Sequence, residues 1–281
     1  MRPESRVRVA TAQTHTRLLE DIARPCDPTE RGAFWWLGQH TFVVRVDALV
    51  FYIDPWFAAW ESRCNPPPLT PAEGRYADFV LVTHGHGDHL CPETLRAMVQ
   101  ASPNAIFVCP PTETERMLQE ALIPEERLRP LNAGGVLEER GARITAIKSK
   151  HEFFDEKPGV GFPYLGYVVE ANGLRFYHSG DTIMYEGLLS TLQQWPQFDV
   201  LFLPINGRDA ERYRRGIIGN FTYQEAVELA GELRPRLVVP SHYDMFVGNQ
   251  EDPTKFTQFL EAKYPGVPYW IGPIGERVSL P

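Results

Sequence analysis

The stretch His84-Gly85-His86-Gly87-Asp88-His89 constrains this chain more than any other. Three imidazoles and a carboxylate within six residues are costly to fold around unless a cation ligates and neutralises them. An accidental H-x-H-x-D-H is expected on the order of 10⁻⁴ times in a chain of this composition. The stretch follows an apolar run, Phe79-Val80-Leu81-Val82, that reads as a buried strand. On extended backbone His84 and His86 point the same way. Gly85 and Gly87 are expected to let the chain turn tightly, so that Asp88 and His89 address a second point nearby. The pattern reads as a metal cradle on a loop after a strand, with a solvated His-rich loop as the bland alternative.

At 281 residues, with 43% hydrophobic and 23% charged residues, the chain is long enough for a sizeable core. Net charge of -8 disfavours a general nucleic-acid binder or an anionic-membrane binder. The four cysteines, Cys26, Cys64, Cys91 and Cys109, have no C-x-x-C spacing and read as free thiols in a reducing compartment. The first residues lack an apolar leader, and no apolar run approaches transmembrane length. The expectation is a cytoplasmic protein.

Along the chain, residues 13–24 form the helix of an N-terminal extension over residues 1–30. Antiparallel strands are expected at 34–37, 41–46 and 49–53. The Pro-rich 55–77 stretch is a loop long enough to suspect a lid or contact surface near the site. A helix starts at Pro92 and runs to about 100, a strand covers 105–108, and a helix covers 111–122. Short strands follow near 136–138 and 143–148. The strands 164–170 and 174–178 form a hairpin across Ala171-Asn172-Gly173. Helices are expected at 187–195, 222–233 and 254–263, the second opened by a Thr222/Glu225 capping box. Strands at 200–203, 237–239 and 277–279 complete the set. Strands and helices alternate without a break in composition, which predicts one α/β domain over 1–281, two sheets face to face with helices outside.

The later histidines each follow a strand-like segment: His151, His178 and His242. Asp181 sits in His178-Ser179-Gly180-Asp181-Thr182. Polar residues at successive strand ends converge where clefts form. H-x-H-x-D-H, then His151, Asp181 in a G-D context and a late His242, resemble the ordered motifs of the metallo-β-lactamase superfamily across most of the chain. The resemblance implies a four-layer αββα sandwich with the site at one edge. It further implies that His84, His86 and His151 hold one metal, Asp88, His89 and His242 a second, and that Asp181 bridges them. Trp35-Trp36-Leu37-Gly38, Tyr177-His178-Ser179-Gly180-Asp181 and Pro240-Ser241-His242-Tyr243-Asp244 resemble more narrowly the ascorbate-6-phosphate lactonase-like branch. That branch is linked to Mn²⁺-dependent hydrolysis of a phosphorylated sugar lactone and to oligomers, which implies a homo-oligomer here. The chain departs from it in carrying His151 where the lactonase has a carboxylate.

With Asp181 filling the motif position, His178 reads as a substrate-facing group or a neighbour of the ligands. His40 reads equally as a structural histidine or a functional one, and Asp54 as a turn cap or as a partner orienting the His-rich loop. Trp35 and Trp36 read as core. Arg208, Arg212, Arg214 and Arg215, four arginines in eight residues, form a candidate clamp for a phosphate or carboxylate. A solvated loop or an oligomer contact is the other reading of that patch. Asn206, His178 and Tyr243 complete the candidate substrate residues.

Two divalent ions sharing a water generate a bridging hydroxide near neutral pH. The leading expectation is therefore a metal-dependent hydrolase acting on a lactone or cyclic ester with an anionic group. Asp88 and Asp181 are its candidate catalytic carboxylates. A small-molecule phosphodiesterase and an iron-dependent redox enzyme on the same fold are the competing readings. Mixed imidazole and carboxylate ligation suits Mn²⁺, Zn²⁺ and Fe²⁺ alike, with Mn²⁺ or Zn²⁺ favoured.

Overall fold

The computed structural model describes residues 12–280, with side chains from residue 16 onward. Residues 1–11 of the expected N-terminal extension lie outside the described ones. Among the described residues, thirteen strands form two sheets. They are β1 (Gly32–Trp36), β2 (Phe42–Val46), β3 (Leu49–Ile53), β4 (Phe79–Leu81), β5 (Ile106–Cys109), β6 (Leu128–Pro130) and β7 (Val136–Glu139). These continue as β8 (Ala142–Lys148), β9 (Leu165–Ala171), β10 (Leu174–His178), β11 (Val200–Pro204), β12 (Val238–Ser241) and β13 (Arg277–Leu280). The first sheet runs β13-β1-β2-β3-β4-β5-β6, the second β12-β11-β10-β9-β8-β7. Antiparallel hairpins open each sequence half, and parallel strands carry β3 to β6 and β10 to β12.

The alternation of each strand explains why its sequence reads as one apolar run. On β1, Phe34 and Trp36 face the second sheet while Ala33 and Trp35 face outward, and all four are buried. On β3, Phe51 and Ile53 point in, and Val50 and Tyr52 point out. Both faces of the sheet are covered, so no polar face remains. Between the sheets Phe42 lies 4.2 Å and Phe34 5.3 Å from Phe202, and Phe51 lies 5.7 Å from Phe176. Deleting one such ring would cost about 3–5 kcal/mol.

Helices α1 (Ala12–Ala23), α2 (Pro92–Ala101) and α3 (Thr114–Gln119) cover the outer face of the first sheet with Leu18, Ile22, Leu95, Met98 and Met117. The N-terminal helix is thus one of the outer layers, tied at its end by Arg45 Nε donating to the Ile22 carbonyl at 3.0 Å. Helices α4 (Leu188–Leu192), α6 (Tyr223–Leu233) and α7 (Pro253–Lys263) cover the second sheet, and α5 (Ala210–Arg214) projects beyond it. The layers are α, β, β, α. No helix among the described residues is long and apolar enough to cross a membrane.

Several local expectations need correction. The helix expected at 111–122 is divided into a 3₁₀ turn at Pro111–Glu113 and a short α3. The helix expected at 187–195 contracts to α4. Short α5 lies in a stretch read as loop; Asp209 caps it by accepting from Glu211 N and Arg212 N at 2.9 Å. Strand β6, only three residues long, carries no periodicity by which to be noticed. The hairpin and the capping box are as expected: Asn172 and Gly173 both take positive φ (44° and 72°), and Thr222 and Glu225 bond reciprocally at 3.0 and 3.2 Å.

Candidate metal centre

Five strand ends deliver the polar residues to one edge where the sheets meet. Asp54 follows β3, His84 follows β4, His151 follows β8, Asp181 follows β10 and His242 follows β12. Hydrogen bonds fasten the sheets there: the Leu165 N–H donates to Thr83 O at 3.0 Å and the Tyr167 hydroxyl to Val82 O at 2.8 Å. The segment carrying His151 is tied to the one carrying Asp181 by Lys150 N to Thr182 Oγ1 at 3.0 Å and Ile183 N to Lys150 O at 2.8 Å.

Two sets of donor atoms result. His84, His86, His151 and Asp181 each offer one atom within 4.8 Å of the others, and Asp88, His89 and His242 do the same. Asp181 faces both sets, with Oδ1 3.5 Å from His89 Nε2 and Oδ2 3.2 Å from His242 Nε2 and 3.8 Å from His151 Nε2. All seven side chains of the sequence-derived ligand set are therefore adjacent.

The arrangement fits divalent cations on its own chemistry. Within the donor sets, His89 Nε2 and Asp181 Oδ1 are buried with no hydrogen-bond partner, a costly arrangement that a cation between them would relieve. Burial pushes His151 down to about 4 and holds His84 and His86 below the usual histidine range, so these imidazoles are neutral at pH 7, the form that can ligate a cation. Burial would depress His89 and His242 as well. Asp181 and Asp88, joined by Asp54 at His89, outweigh it and pull both upward. The carboxylates thus gather positive charge, which protons supply where a cation does not.

Asp54 is the hub behind the His-rich loop. It is fully buried, and its carboxylate accepts from Thr83 N, Thr83 Oγ1 and His89 Nδ1, each at 2.7 Å. The last bond places the proton of His89 on Nδ1 and leaves Nε2 facing Asp88 and Asp181. Thr83 Oγ1 also lies 3.0 Å from His84 Nδ1, so one carboxylate orients two histidines. His40 bonds Ser241 Oγ at 2.7 Å and the Gly180 carbonyl at 3.2 Å, bracing the backbone next to His242 and Asp181 rather than lining the cleft.

The two loop glycines have a different reason from the one expected. Neither takes a positive φ; each is needed for close approach. A Cβ at Gly85 would lie 2.5 Å from the Glu113 carboxylate, and one at Gly87 2.7 Å from the Trp60 ring. Glu113 and Arg116 form a clasp on the loop, Arg116 Nη1 donating to the Gly85 carbonyl at 2.6 Å and lying 3.2 Å from Glu113.

His86, Asp88, His151, Asp181 and His242 line a cavity of about 220 Å³, closed by Gly216, Ile218, Phe246 and Asn249. Phe246 and Asn249 also line a neighbouring cavity of about 580 Å³ walled by Arg63, Cys64, Arg215, Ile217 and Val247. The 55–77 loop reaches this cavity because Cys64 N bonds Met245 O at 2.7 Å and Arg63 stacks 3.8 Å over Trp56.

Of the candidate substrate residues, only Arg215 is at this cavity. Arg208 is bonded bidentately to Glu225 at 2.6 and 2.7 Å, and Arg212 is held by Asp209 and the Gln250 carbonyl, both at 2.6 Å. Arg214 lies exposed on α5. His178 is a correction: it is fully buried, stacked 3.9 Å from His40, with Nε2 3.0 Å from the His40 carbonyl, and cannot face a substrate. Asn206 is likewise buried, bonding Asn249 and Asn220, and Tyr243 packs on Trp36 at 5.2 Å. Trp35 and Trp36 are core, as expected. Sequence reasoning missed Gln39, Arg63, Glu113, Phe246 and Asn249, and also Tyr164, whose ring lies 5.6, 6.2 and 5.3 Å from those of His84, His86 and His151. Gln39 stands beside His40, and Phe246 and Asn249 follow His242 closely; Arg63, Glu113 and Tyr164 have no local signal.

Residues 50–243 match the family model described as a β-lactamase superfamily domain. A UPF0173 metal-dependent hydrolase of Archaeoglobus fulgidus is 30% identical over 234 residues, 81% of this chain and 90% of that protein. One of Methanosarcina mazei is 28% identical over 249 residues, 87% of this chain and 97% of that one. A metallo hydrolase of Ignicoccus hospitalis shares the fold at a TM-score of 0.68 and 24% identity, covering 88% of this chain and 97% of its own. The chain belongs to the metallo-β-lactamase superfamily and, within it, to the UPF0173 metal-dependent hydrolases.

Proposed function

We propose that this metal-dependent hydrolase opens a lactone or other cyclic ester that carries an anionic group, in the manner of the ascorbate-6-phosphate lactonase-like branch. The observation that carries the reading is the shared carboxylate of Asp181 between two donor sets, facing a cavity that adjoins one bearing arginines. His84, His86 and His151 would hold one ion and Asp88, His89 and His242 the other, with Asp181 available to both. Two divalent ions in such a site supply a water of lowered pKa and a Lewis-acid contact for the substrate oxygen. Mn²⁺ or Zn²⁺ is our assignment, with Fe²⁺ compatible with the same donors.

The chain's own residues do the rest. Asp88 is the more accessible of the two cleft carboxylates, at 16% against 4% for Asp181. It orients the attacking water. Asp54 keeps His89 in the tautomer that leaves Nε2 free. Arg215 holds the anionic group at the neighbouring cavity, with Arg63 behind it. Arg63 is buried enough to be pushed down to about 10, still protonated at pH 7. Ile217 and Phe246 supply apolar surface on that side. The four free thiols support a reducing, cytoplasmic setting, and the branch resemblance supports a homo-oligomer.

The test is hydrolysis of a panel of anionic and neutral lactones and of small phosphodiesters by metal-depleted protein reloaded with Mn²⁺, Zn²⁺ or Fe²⁺ in turn. Turnover of anionic lactones is expected. Turnover of phosphodiesters alone, or O₂ consumption by the iron-loaded protein, would overturn the proposal.

A further inference from the structure

Gln39 lies in the turn between β1 and β2 and is 1% exposed. Its backbone is fixed on both sides. The N–H donates to Asp244 Oδ1 at 3.0 Å, and the carbonyl accepts from Trp36 Nε1 at 3.0 Å and His242 N at 2.8 Å. It holds a φ of 52°, in the left-handed region that non-glycine residues rarely adopt. Asp54 (46°) and His242 (60°) do the same. Such conformations cost about 1–3 kcal/mol each and persist where surrounding structure imposes them. Three of them at one strand-end edge mark Gln39 as part of that edge's construction.

The side chain ends between two of the three donors of one set. Its Nε2 donates to Asp88 Oδ2 at 2.8 Å and lies 3.0 Å from His242 Nε2, while those two atoms are themselves 3.9 Å apart. Without a cation, an amide NH₂ there is held by Asp88 Oδ2. With a cation held by Asp88 and His242 the same NH₂ would point positive hydrogens at it. The amide has no other place to go, because its backbone is pinned and its surroundings are packed. The last torsion of a glutamine is broad and roughly two-fold, so half a turn exchanges NH₂ for C=O at the same position. An amide oxygen is a good ligand for hard and borderline divalent ions.

We infer that Gln39 is a ligand of the second half-site, binding through its side-chain oxygen to the ion held by Asp88, His89 and His242. This rests on the assignment of those three residues to one ion. The two half-sites then differ in kind. One presents three imidazoles, and the other two imidazoles, a carboxylate and an amide, so the second is the more weakly held and the more favourable to hard ions.

The experiment is titration of metal-depleted protein with Co²⁺, following affinity and visible absorption for each equivalent, in the wild type, Gln39→Leu and Gln39→Glu. Near-isosteric Gln39→Met replaces Gln39→Leu if thermal melting shows that variant unfolded. The wild type takes up two equivalents. In Gln39→Leu the first equivalent is unchanged, the second weakens tenfold or more, and its absorption bands change intensity because a ligand is gone. Gln39→Glu restores the second equivalent by offering a carboxylate oxygen. Unchanged affinities and spectra in Gln39→Leu would overturn the inference. So would a weaker second equivalent with unaltered bands, which makes the amide only a donor to Asp88. A tighter second equivalent, which makes the amide an obstacle to the ion, would overturn it as well. If the wild type binds fewer than two equivalents, the assignment of the donors falls first, and the inference with it.

Discussion

Replacing Asp54 by Asn removes one charge and almost no volume, yet it strikes both histidine orientation and stability. The carboxylate meets three donors, Thr83 N, Thr83 Oγ1 and His89 Nδ1, with two oxygens and no exposure. An amide has one oxygen. If that oxygen stays on Thr83 N, the NH₂ faces His89 and drives its proton from Nδ1 to Nε2, where a lone pair is needed. If the amide turns round, two N–H groups confront each other at Thr83. Either way one buried charge-assisted bond is lost, worth about 1.5–3 kcal/mol. On metal affinity, changes to groups that orient a ligating histidine cost about 10–100-fold. The loss falls on the equivalent held by His89, and to a smaller extent on that held by His84, which reaches Asp54 only through Thr83. Competition with a chromophoric chelator reads the two affinities separately, and thermal melting reads the folding cost. If Asp54→Asn bound both equivalents as tightly as the wild type, the carboxylate would not set the tautomer and the reasoning would fail.

Three further outcomes are expected. Gly85→Ala destabilises by about 1–3 kcal/mol, because its methyl meets a buried, clasped Glu113, whereas Gly87→Ala costs less, since Trp60 is 43% exposed and can yield; equal melting shifts would contradict this. Arg215→Ala raises KM for an anionic substrate, while Arg208→Ala lowers the melting temperature and leaves KM alone, because Glu225 already occupies that guanidinium; steady-state kinetics on both variants would expose the reverse pattern. Glu30 is held down at about 2 by Arg277, at 2.6 and 2.7 Å, against 4.5 unfolded. A lowered folded pKa gives stability that is complete above about pH 4.5 and disappears as pH falls through about 2. The melting-temperature gap between wild type and Glu30→Gln therefore closes over that window, and a gap independent of pH would refute the pairing.

What the sequence discloses here is decided by whether a residue's partner is local. The His-rich loop is legible because four donors lie within six residues, and its strand because β4 is covered on both faces. His151, Asp181 and His242 are legible in order because each follows a strand whose direction fixes where the next residue goes. The Asn172-Gly173 turn and the Thr222/Glu225 cap are likewise self-contained. By contrast, nothing near Arg208 in sequence says that Glu225, the acidic member of that cap, will neutralise it. Nor does Ala171-Asn172-Gly173-like chemistry announce that residues 63 and 246 pair across the cavity mouth. His178 looked polar and near the motif, but its strand position points it into the stack with His40.

The same distinction bears on how this fold separates chemistry from choice of substrate. The donors stand on strand ends locked by hydrogen bonds between the two sheets, so their spacing is a property of the sandwich. The second cavity is walled by the 55–77 loop, Arg215 at the end of the short α5 and residues 246–249, which contact one another outside both sheets. A change there alters what enters without moving a ligand. Gln39 is the exception, a turn residue whose backbone carbonyl holds His242 and whose side chain reaches Asp88. Substituting it therefore perturbs the rigid part of the molecule, and its effect belongs with metal affinity, whereas changes at Arg215 or Phe246 belong with KM.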